Sequence, residues 1–253
     1  YSFEKQNGLK TILGGDEMKP IYKPKGKARE YGDYAINIYT GCPHRCYYCF
    51  APSVLRKDKE TFHSHVEPRK GIVEAVKKQI DKEQITDKLI HLCFTCDPYP
   101  LGHNTTATSE IIKAIKDSGN HVQILTKNAA AAALDFGLLD EDDWFGITLT
   151  GAQQKQEPNA TDARNRLFML AVARSRGIKT WVSFEPVINA EWVLSCISAH
   201  HEIFDKVKIG KLNYHPSDIN WGGFGRKAEE LCQLYGLDYY IKDGLREKME
   251  GMK

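Results

Sequence analysis

The sequence predicts an α/β fold: a parallel sheet wound as an open, partial barrel. Three observations predict it. Apolar strand-like runs alternate with helix-spaced runs from Tyr34 to the C-terminus, and such alternation builds parallel sheets. Gly119, Gly177 and Gly236 stand just past three helical runs, where glycine stops a helix. About six or seven units are present, too few for a closed eight-stranded barrel.

Each element follows in order. Residues 1–32 hold few periodic apolar positions and several Gly and Pro. They read as an irregular N-terminal arm ahead of one barrel domain, 33–253, with a short C-terminal extension from about 214. A first strand spans 34–39, and a long loop 53–67 precedes a helix over 69–84 with Ile72, Val73, Val76 and Ile80 in register. The second strand, 89–94, breaks at Thr95-Cys96-Asp97-Pro98. A helix over 105–118 leads to the third strand, 122–126, and an Ala-rich helix over 129–138 to the fourth, 145–149. Helix 162–176, strand 180–184, helix 191–200 and strand 206–209 continue the pattern. Helix 226–235, a seventh strand at 239–241 and a polar helix from about 243 complete it.

Composition bounds the function. The 253 residues carry a net charge of +2, so global charge does not announce a nucleic-acid binder. Residues 19–29 nevertheless hold Lys19, Lys23, Lys25, Lys27 and Arg29 without an acid, a run that suits either a phosphate track or a solvated linker. Seven cysteines with a metal-type cluster argue for a reducing, cytoplasmic setting rather than a disulfide framework. No apolar stretch approaches a membrane span, and no signal peptide or membrane partner is expected.

Cys42, Cys46 and Cys49 organise the chain. They lie in Thr40-Gly41-Cys42-Pro43-His44-Arg45-Cys46-Tyr47-Tyr48-Cys49, directly after the first strand, where α/β folds place their chemistry. Three thiolates at this spacing converge on one metal centre. An iron–sulfur cube needs four ligands, and the run supplies three, leaving one iron for a non-protein ligand. A zinc site completed by His44 or a distant Cys is the alternative. The other strand ends offer Thr95, Cys96 and Asp97, then Lys127, Thr148 and Thr150, Glu185, and finally Lys211, Asn213 and Tyr214.

The CxxxCxxC run, with Tyr48 before its last Cys, resembles the radical S-adenosylmethionine (SAM) superfamily. Within it, the closest resemblance is to the spore photoproduct lyase-like branch, also labelled DNA repair photolyases. That resemblance rests on Asn37-Ile38-Tyr39-Thr40-Gly41-Cys42, Tyr48-Cys49-Phe50-Ala51, Thr95-Cys96-Asp97-Pro98-Tyr99, Leu125-Thr126-Lys127, Glu157-Pro158 and Arg166-Leu167. It implies a partial (βα)6 barrel, a [4Fe–4S] cluster on the three cysteines, and SAM on the open iron. It further implies reductive cleavage of SAM to a 5′-deoxyadenosyl radical, with the electron supplied by a donor such as flavodoxin or ferredoxin.

SAM needs a cation or hydroxyl for its carboxylate, which Lys127, Arg166 (or Arg164) and Thr148 offer. Its ribose wants a carboxylate or amide; Thr148 could bond the ribose as well, and Glu185 at its strand end is a further cofactor-binding candidate. The backbone of Tyr48 is placed for adenine, and Thr95, Cys96 and Asp97 for the amino group, as the resemblance implies. Spore photoproduct lyases carry a hydrogen-donating cysteine where this chain has Phe94, so the lyase reaction itself is not expected. Cys96 beside it is the candidate catalytic residue.

A nucleic acid or nucleotide is the expected substrate, from the basic run and the aromatics Tyr214, Trp221 and Phe224, with 221–225 expected as a loop over the barrel mouth. The alternatives are a peptide or small-metabolite radical SAM enzyme, or a zinc-stabilised nucleic-acid-binding module without catalysis. A monomer is expected.

Overall fold

The computed structural model describes residues 19–251. Seven strands form one sheet: β1 (Tyr34–Ile36), β2 (Leu89–Leu92), β3 (His121–Thr126), β4 (Trp144–Thr148), β5 (Lys179–Phe184), β6 (Lys206–Ile209) and β7 (Asp238–Ile241). They lie in sequence order and every neighbouring pair is parallel. An unreversed order is that of a barrel wall rather than of a doubly wound sheet. β1 and β7 are the two edges, so the barrel is open.

Side chains alternate across the wall, as strand geometry requires. Ile90, Leu92, Ile124, Phe145, Ile147, Val182, Phe184, Val207 and Ile209 join the apolar core beneath the helices. The principal helices are α1 (Ala51–Val54), α2 (Lys59–Ser64), α3 (Ile72–Glu83), α4 (Thr106–Asp117), α5 (Ala129–Ala132), α6 (Ala163–Ser175), α7 (Ala190–His200), α8 (Trp221–Leu234) and α9 (Asp243–Glu250). His91, Gln123, Trp181, Ser183 and Lys208 take the opposite face. Trp181 fills it because β4 yields space: a Cβ on Gly146 would stand 2.2 Å from Trp181 Nε1. That nitrogen donates to the Ile124 carbonyl at 2.9 Å.

Residues 19–32 close the edge between β1 and β7 instead of trailing as an arm. Tyr22 and Ala35 exchange backbone hydrogen bonds of 3.0 and 2.9 Å, and Gln79 of α3 holds both backbone groups of buried Ile21. A 3-10 turn, Gly26–Tyr31, then carries Tyr31 into the interior. Its ring meets His91, Phe94 and Trp181 at centroid distances of 5.4, 5.5 and 5.9 Å. Lys208 lies 4.1 Å over the same ring and donates to the Glu30 carbonyl at 2.5 Å. The remainder of the expected arm, residues 1–18, and the Lys27 side chain lie outside the described residues.

Several boundaries differ from the sequence expectation; the expected helix over 129–138, for one, is α-helical only over Ala129–Ala132 and continues as a 3-10 helix over Ala133–Leu138. β1 stops at Ile36 rather than Tyr39. β2 stops at Leu92 because Cys93 adopts φ 68°, which leaves the strand region. The expected loop 53–67 contains α1 and α2, the latter capped by Asp58 accepting from the Thr61 amide at 2.8 Å. The expected loop at 221–225 is the first turn of α8, capped by Asn220. Its glycines serve packing: a Cβ on Gly225 would stand 2.6 Å from Met249 of α9.

Candidate active site

The cysteine loop leaves β1 and is held from three sides at the C-terminal rim. From α2, the Phe62 carbonyl accepts the Cys42 amide at 3.2 Å, and His63 Nδ1 lies 2.7 Å from the Cys42 carbonyl. From the segment after β4, Asn159 donates to the Pro43 carbonyl at 2.9 Å, and the Tyr47 amide reaches the Gln156 carbonyl at 3.1 Å. Gly41 is required where α2 crosses, since a Cβ there would stand 2.1 Å from the Phe62 carbonyl oxygen.

The third side is the turn after β2. Asp97 is buried, and its carboxylate accepts from the Tyr99 amide (2.8 Å), the Thr126 hydroxyl (2.6 Å) and the Lys127 amide (2.9 Å). It therefore straps the ends of β2 and β3 together. His44, 2% exposed, stands between this strap and the cysteines, with Nδ1 3.4 Å from Asp97 and Nε2 accepting from the Leu101 amide at 3.4 Å. Burial keeps its imidazole below the usual basicity although Asp97 pulls the other way. Asn37 accepts from the Phe94 and Thr95 amides at 2.9 and 3.0 Å, fixing the turn to β1. Thr95 Oγ1 is buried without a partner, and such an orphaned hydroxyl is costly unless something bonds it.

The floor of the loop is charged. Glu157, in the segment after β4, receives Arg166 of α6 at 2.7 Å, the Thr150 hydroxyl at 2.9 Å and the Tyr48 hydroxyl. Arg166 also donates to the Thr148 carbonyl at 2.6 Å and the Thr161 carbonyl at 2.8 Å. Lys127 extends from the end of β3 to 5.6 Å from the Tyr48 ring centre. Burial works against its charge, but Cys46 and Glu157 outweigh that and raise its basicity. Glu157 runs the other way: burial would raise its carboxyl, and Lys127 and Arg166 hold it below the ordinary value. A cleft of about 170 Å³ opens beside this pair, lined by Thr150, Gly151, Gln153 and Trp192 among others.

The donor set distinguishes the metal readings. Sulfurs around one tetrahedral zinc at about 2.3 Å lie roughly 4 Å apart. Among the described residues, the trio of potential ligands within 4.8 Å of one another is His121, Asp140 and Asp143, far from these cysteines in the chain. Cys42, Cys46 and Cys49 do not form such a tight trio. His44 has both ring nitrogens engaged by Asp97 and Leu101. Burial pushes all three thiols up; Asp97 adds to this at Cys42, and Lys127 opposes it at Cys46 and Cys49. Metal binding must therefore displace their protons.

The sequence matches the Radical SAM superfamily over residues 36–189. This chain belongs to the radical SAM superfamily. Its fold is similar to that of a spore photoproduct lyase variant, with a TM-score of 0.66 at 12% identity over 87% of this chain and 79% of the other. It is likewise similar to spore photoproduct lyase complexed with a dinucleoside spore photoproduct: TM-score 0.62, 14% identity, 93% and 80% coverage. Streptococcus suis SuiB bound to its precursor peptide SuiA aligns with a TM-score of 0.60 at 10% identity, over 86% of this chain and 51% of SuiB. A comparison with curated proteins gives no match. The superfamily implies a [4Fe–4S] cluster and SAM, and the three cysteines fall inside the matched span.

In this radical SAM fold, the residues singled out from the sequence fall into two groups. Cys42, Cys46, Cys49, Tyr48, Lys127 and Arg166 share the clamp just described, and Thr148 joins through its carbonyl. Arg164 is exposed on α6. Asp97 straps the β2 and β3 ends. Glu185 belongs to a separate group inside the barrel, where Tyr31 donates to it at 2.7 Å and Lys242 at 2.6 Å. Cys96 bonds Cys93 rather than any member of the clamp. Phe94 stacks on His91 at 4.3 Å.

Of the aromatics, Tyr214 is 91% exposed, Phe224 is buried in the core, and Trp221 packs against Phe224. Sequence reading passed over Glu157 as a site residue. Its signal was a Glu-Pro pair following a strand end, nine residues before Arg166.

Proposed function

We propose that this chain holds a [4Fe–4S] cluster on Cys42, Cys46 and Cys49, binds SAM beside it, and abstracts a hydrogen atom from a nucleic-acid or nucleotide substrate. The single observation that carries this is the clamp: three thiols on one loop, with the half-buried Lys127 and a buried ion pair (Glu157–Arg166) against it. When bound, such a cluster would supply an electron for SAM cleavage, chemistry that the cofactor carries and the protein positions.

The residues have separable roles. Lys127 offers its ammonium to the SAM carboxylate. Thr95 offers an unpartnered hydroxyl at the end of β2. Glu157 and Arg166 fix Tyr48, whose backbone stands beside the last ligand. His44 and Asp97 hold the loop to the β2 and β3 ends, so the ligand cysteines stay in place.

The substrate reading draws on surface chemistry near the rim. Tyr214 is exposed, and His215 packs on Tyr47 of the cysteine loop at 5.1 Å, giving faces on which bases can stack. In the basic run, Lys25 and Arg29 are exposed, while Lys19 pairs with Glu83 and Lys23 lies over the Tyr34 ring. Spore photoproduct lyase bound to a dinucleoside shares the fold.

Anaerobic reconstitution with iron and sulfide, followed by dithionite and SAM, tests the reading. Methionine and 5′-deoxyadenosine should appear. A colourless protein that holds zinc and leaves SAM intact would refute it.

A further inference from the structure

We infer that Cys93 and Cys96 form a dithiol–disulfide couple at the end of β2, with Cys96 the attacking thiolate and Cys93 the resolving thiol, acting on small-molecule disulfides. The pair goes beyond the cluster chemistry and does not depend on it.

The geometry brings the two sulfurs together. The sequence places them as Cys93-Phe94-Thr95-Cys96, and a strand would point Cys93 and Cys96 to opposite faces. Cys93 instead turns left-handed, at φ 68°, immediately after β2, while its amide still bonds the Ile36 carbonyl at 2.7 Å. Such a backbone is uncommon for a residue other than glycine, asparagine or aspartate, and strain of this kind gathers at functional sites. Asn37 locks the turn by accepting from the Phe94 and Thr95 amides. The result is a hydrogen bond between the Cys93 and Cys96 side chains.

The surroundings favour one thiolate, on Cys96. The Tyr39 amide donates to its sulfur, Cys93 donates its S–H, and Arg69 contributes positive charge. Arg69 Nε is itself buried without a partner. Burial would raise the Cys96 thiol, but these donors overcome it and set the thiol below its ordinary value. Burial and the neighbouring Cys96 sulfur push Cys93 well above its own. Asp97, Tyr39 and Tyr22 are the other titratable groups that sense the pair. Cys93 is 6% exposed and Cys96 is half-buried, so Cys96 is the more open residue of the two. A thiolate held by hydrogen bonds beside a buried thiol is the arrangement that exchanges disulfides.

The step balances. The Cys96 thiolate attacks one sulfur of a disulfide RSSR, forming a mixed disulfide and releasing RS⁻. That RS⁻ takes the Cys93 proton and leaves as RSH. The Cys93 thiolate then attacks the Cys96 sulfur, closing the protein disulfide and expelling the second RS⁻. Two protein sulfurs are oxidised and RSSR is reduced.

Trypsin tests this directly, because residues 89–113 form one tryptic peptide containing Cys93, Cys96 and no other cysteine. The protein, with and without reconstituted iron, is equilibrated anaerobically in mixtures of reduced and oxidised glutathione, acid-quenched, digested and weighed. The peptide should lose two hydrogens as the mixture turns oxidising, with no lasting glutathione adduct, whether or not Cys42, Cys46 and Cys49 hold iron. Cys93→Ser should trap glutathione on Cys96. In the reduced protein, Cys96 should alkylate at least about tenfold faster than buried Cys196 or Cys232. A peptide that keeps both thiols free in oxidised glutathione, or a stable adduct in the wild type, overturns the proposal.

Discussion

Arg166 Nη2 lies 2.7 Å from Glu157 Oε2, and each side chain is only 5% exposed. The pair joins α6 to the segment that clamps the cysteine loop, and Tyr48 hangs on the same carboxylate. Removing one partner of a buried pair strands the other charge, at a cost of roughly 3–5 kcal/mol. Glu157→Gln should lower unfolding stability on that scale, because Arg166 and Lys127 both lose their anion. The double variant Glu157→Gln/Arg166→Met should cost less than the sum of the two single changes, read by urea denaturation. Additive losses would show that the two residues do not act as a pair.

The proposed role of Lys127 is to meet the SAM carboxylate. Lys127→Ala should weaken SAM binding by about 1–3 kcal/mol, the scale of a charge-assisted hydrogen bond. Equilibrium dialysis of the reconstituted protein measures it. Unchanged affinity would leave Lys127 as a partner of Glu157 only.

Inside the barrel, burial brings the Lys208 ammonium down to about 8, helped by Lys206 and Lys242. Below that pH, both the folded and the unfolded chain hold the proton. Between about 8 and the ordinary lysine value near 10.4, the unfolded chain binds more protons, so stability attributable to Lys208 rises with pH. The stability difference between wild type and Lys208→Met should therefore grow in favour of wild type across that window. A difference that stays flat would contradict the burial of this ammonium.

Oligonucleotide binding tests the substrate reading. Phosphate contacts release counterions, so affinity for single strands should fall steeply as salt rises. Lys25→Glu with Arg29→Glu should flatten that slope. Tyr214→Ala should lower affinity by about 1–3 kcal/mol while leaving the slope unchanged. No binding at low salt would move a peptide or small metabolite ahead.

Local features were legible in the sequence. The alternation of Ile, Val and Leu runs with helical spacing set out every strand from β1 to β7, because period 2 and period 3.6 are properties of short windows. Cys42, Cys46 and Cys49 were legible for the same reason. What stayed hidden depends on distance in the chain. Tyr48 and Glu157 are 109 residues apart and Tyr31 and Glu185 are 154 apart, yet they are hydrogen-bonded. Nothing near Tyr31 marks it as a barrel-interior side chain, and residues 19–32 lack the periodicity that signals packing. Cys93 was hidden differently: its neighbours Leu92 and Phe94 suit a strand, and only the Asn37 side chain shows why the strand ends. The glycines of 221–225 suggested a loop, whereas tight α8–α9 packing makes them helical.

The central claim is that Cys42, Cys46 and Cys49 hold the cluster. Iron and acid-labile sulfide per chain, measured after anaerobic reconstitution, test it most directly in wild type, Cys42→Ala, Cys46→Ala, Cys49→Ala and Cys196→Ala. The expected result is about four irons and four sulfides in wild type and Cys196→Ala, with loss of the cluster in each of the other three. Full iron content in any one of those three would contradict the account.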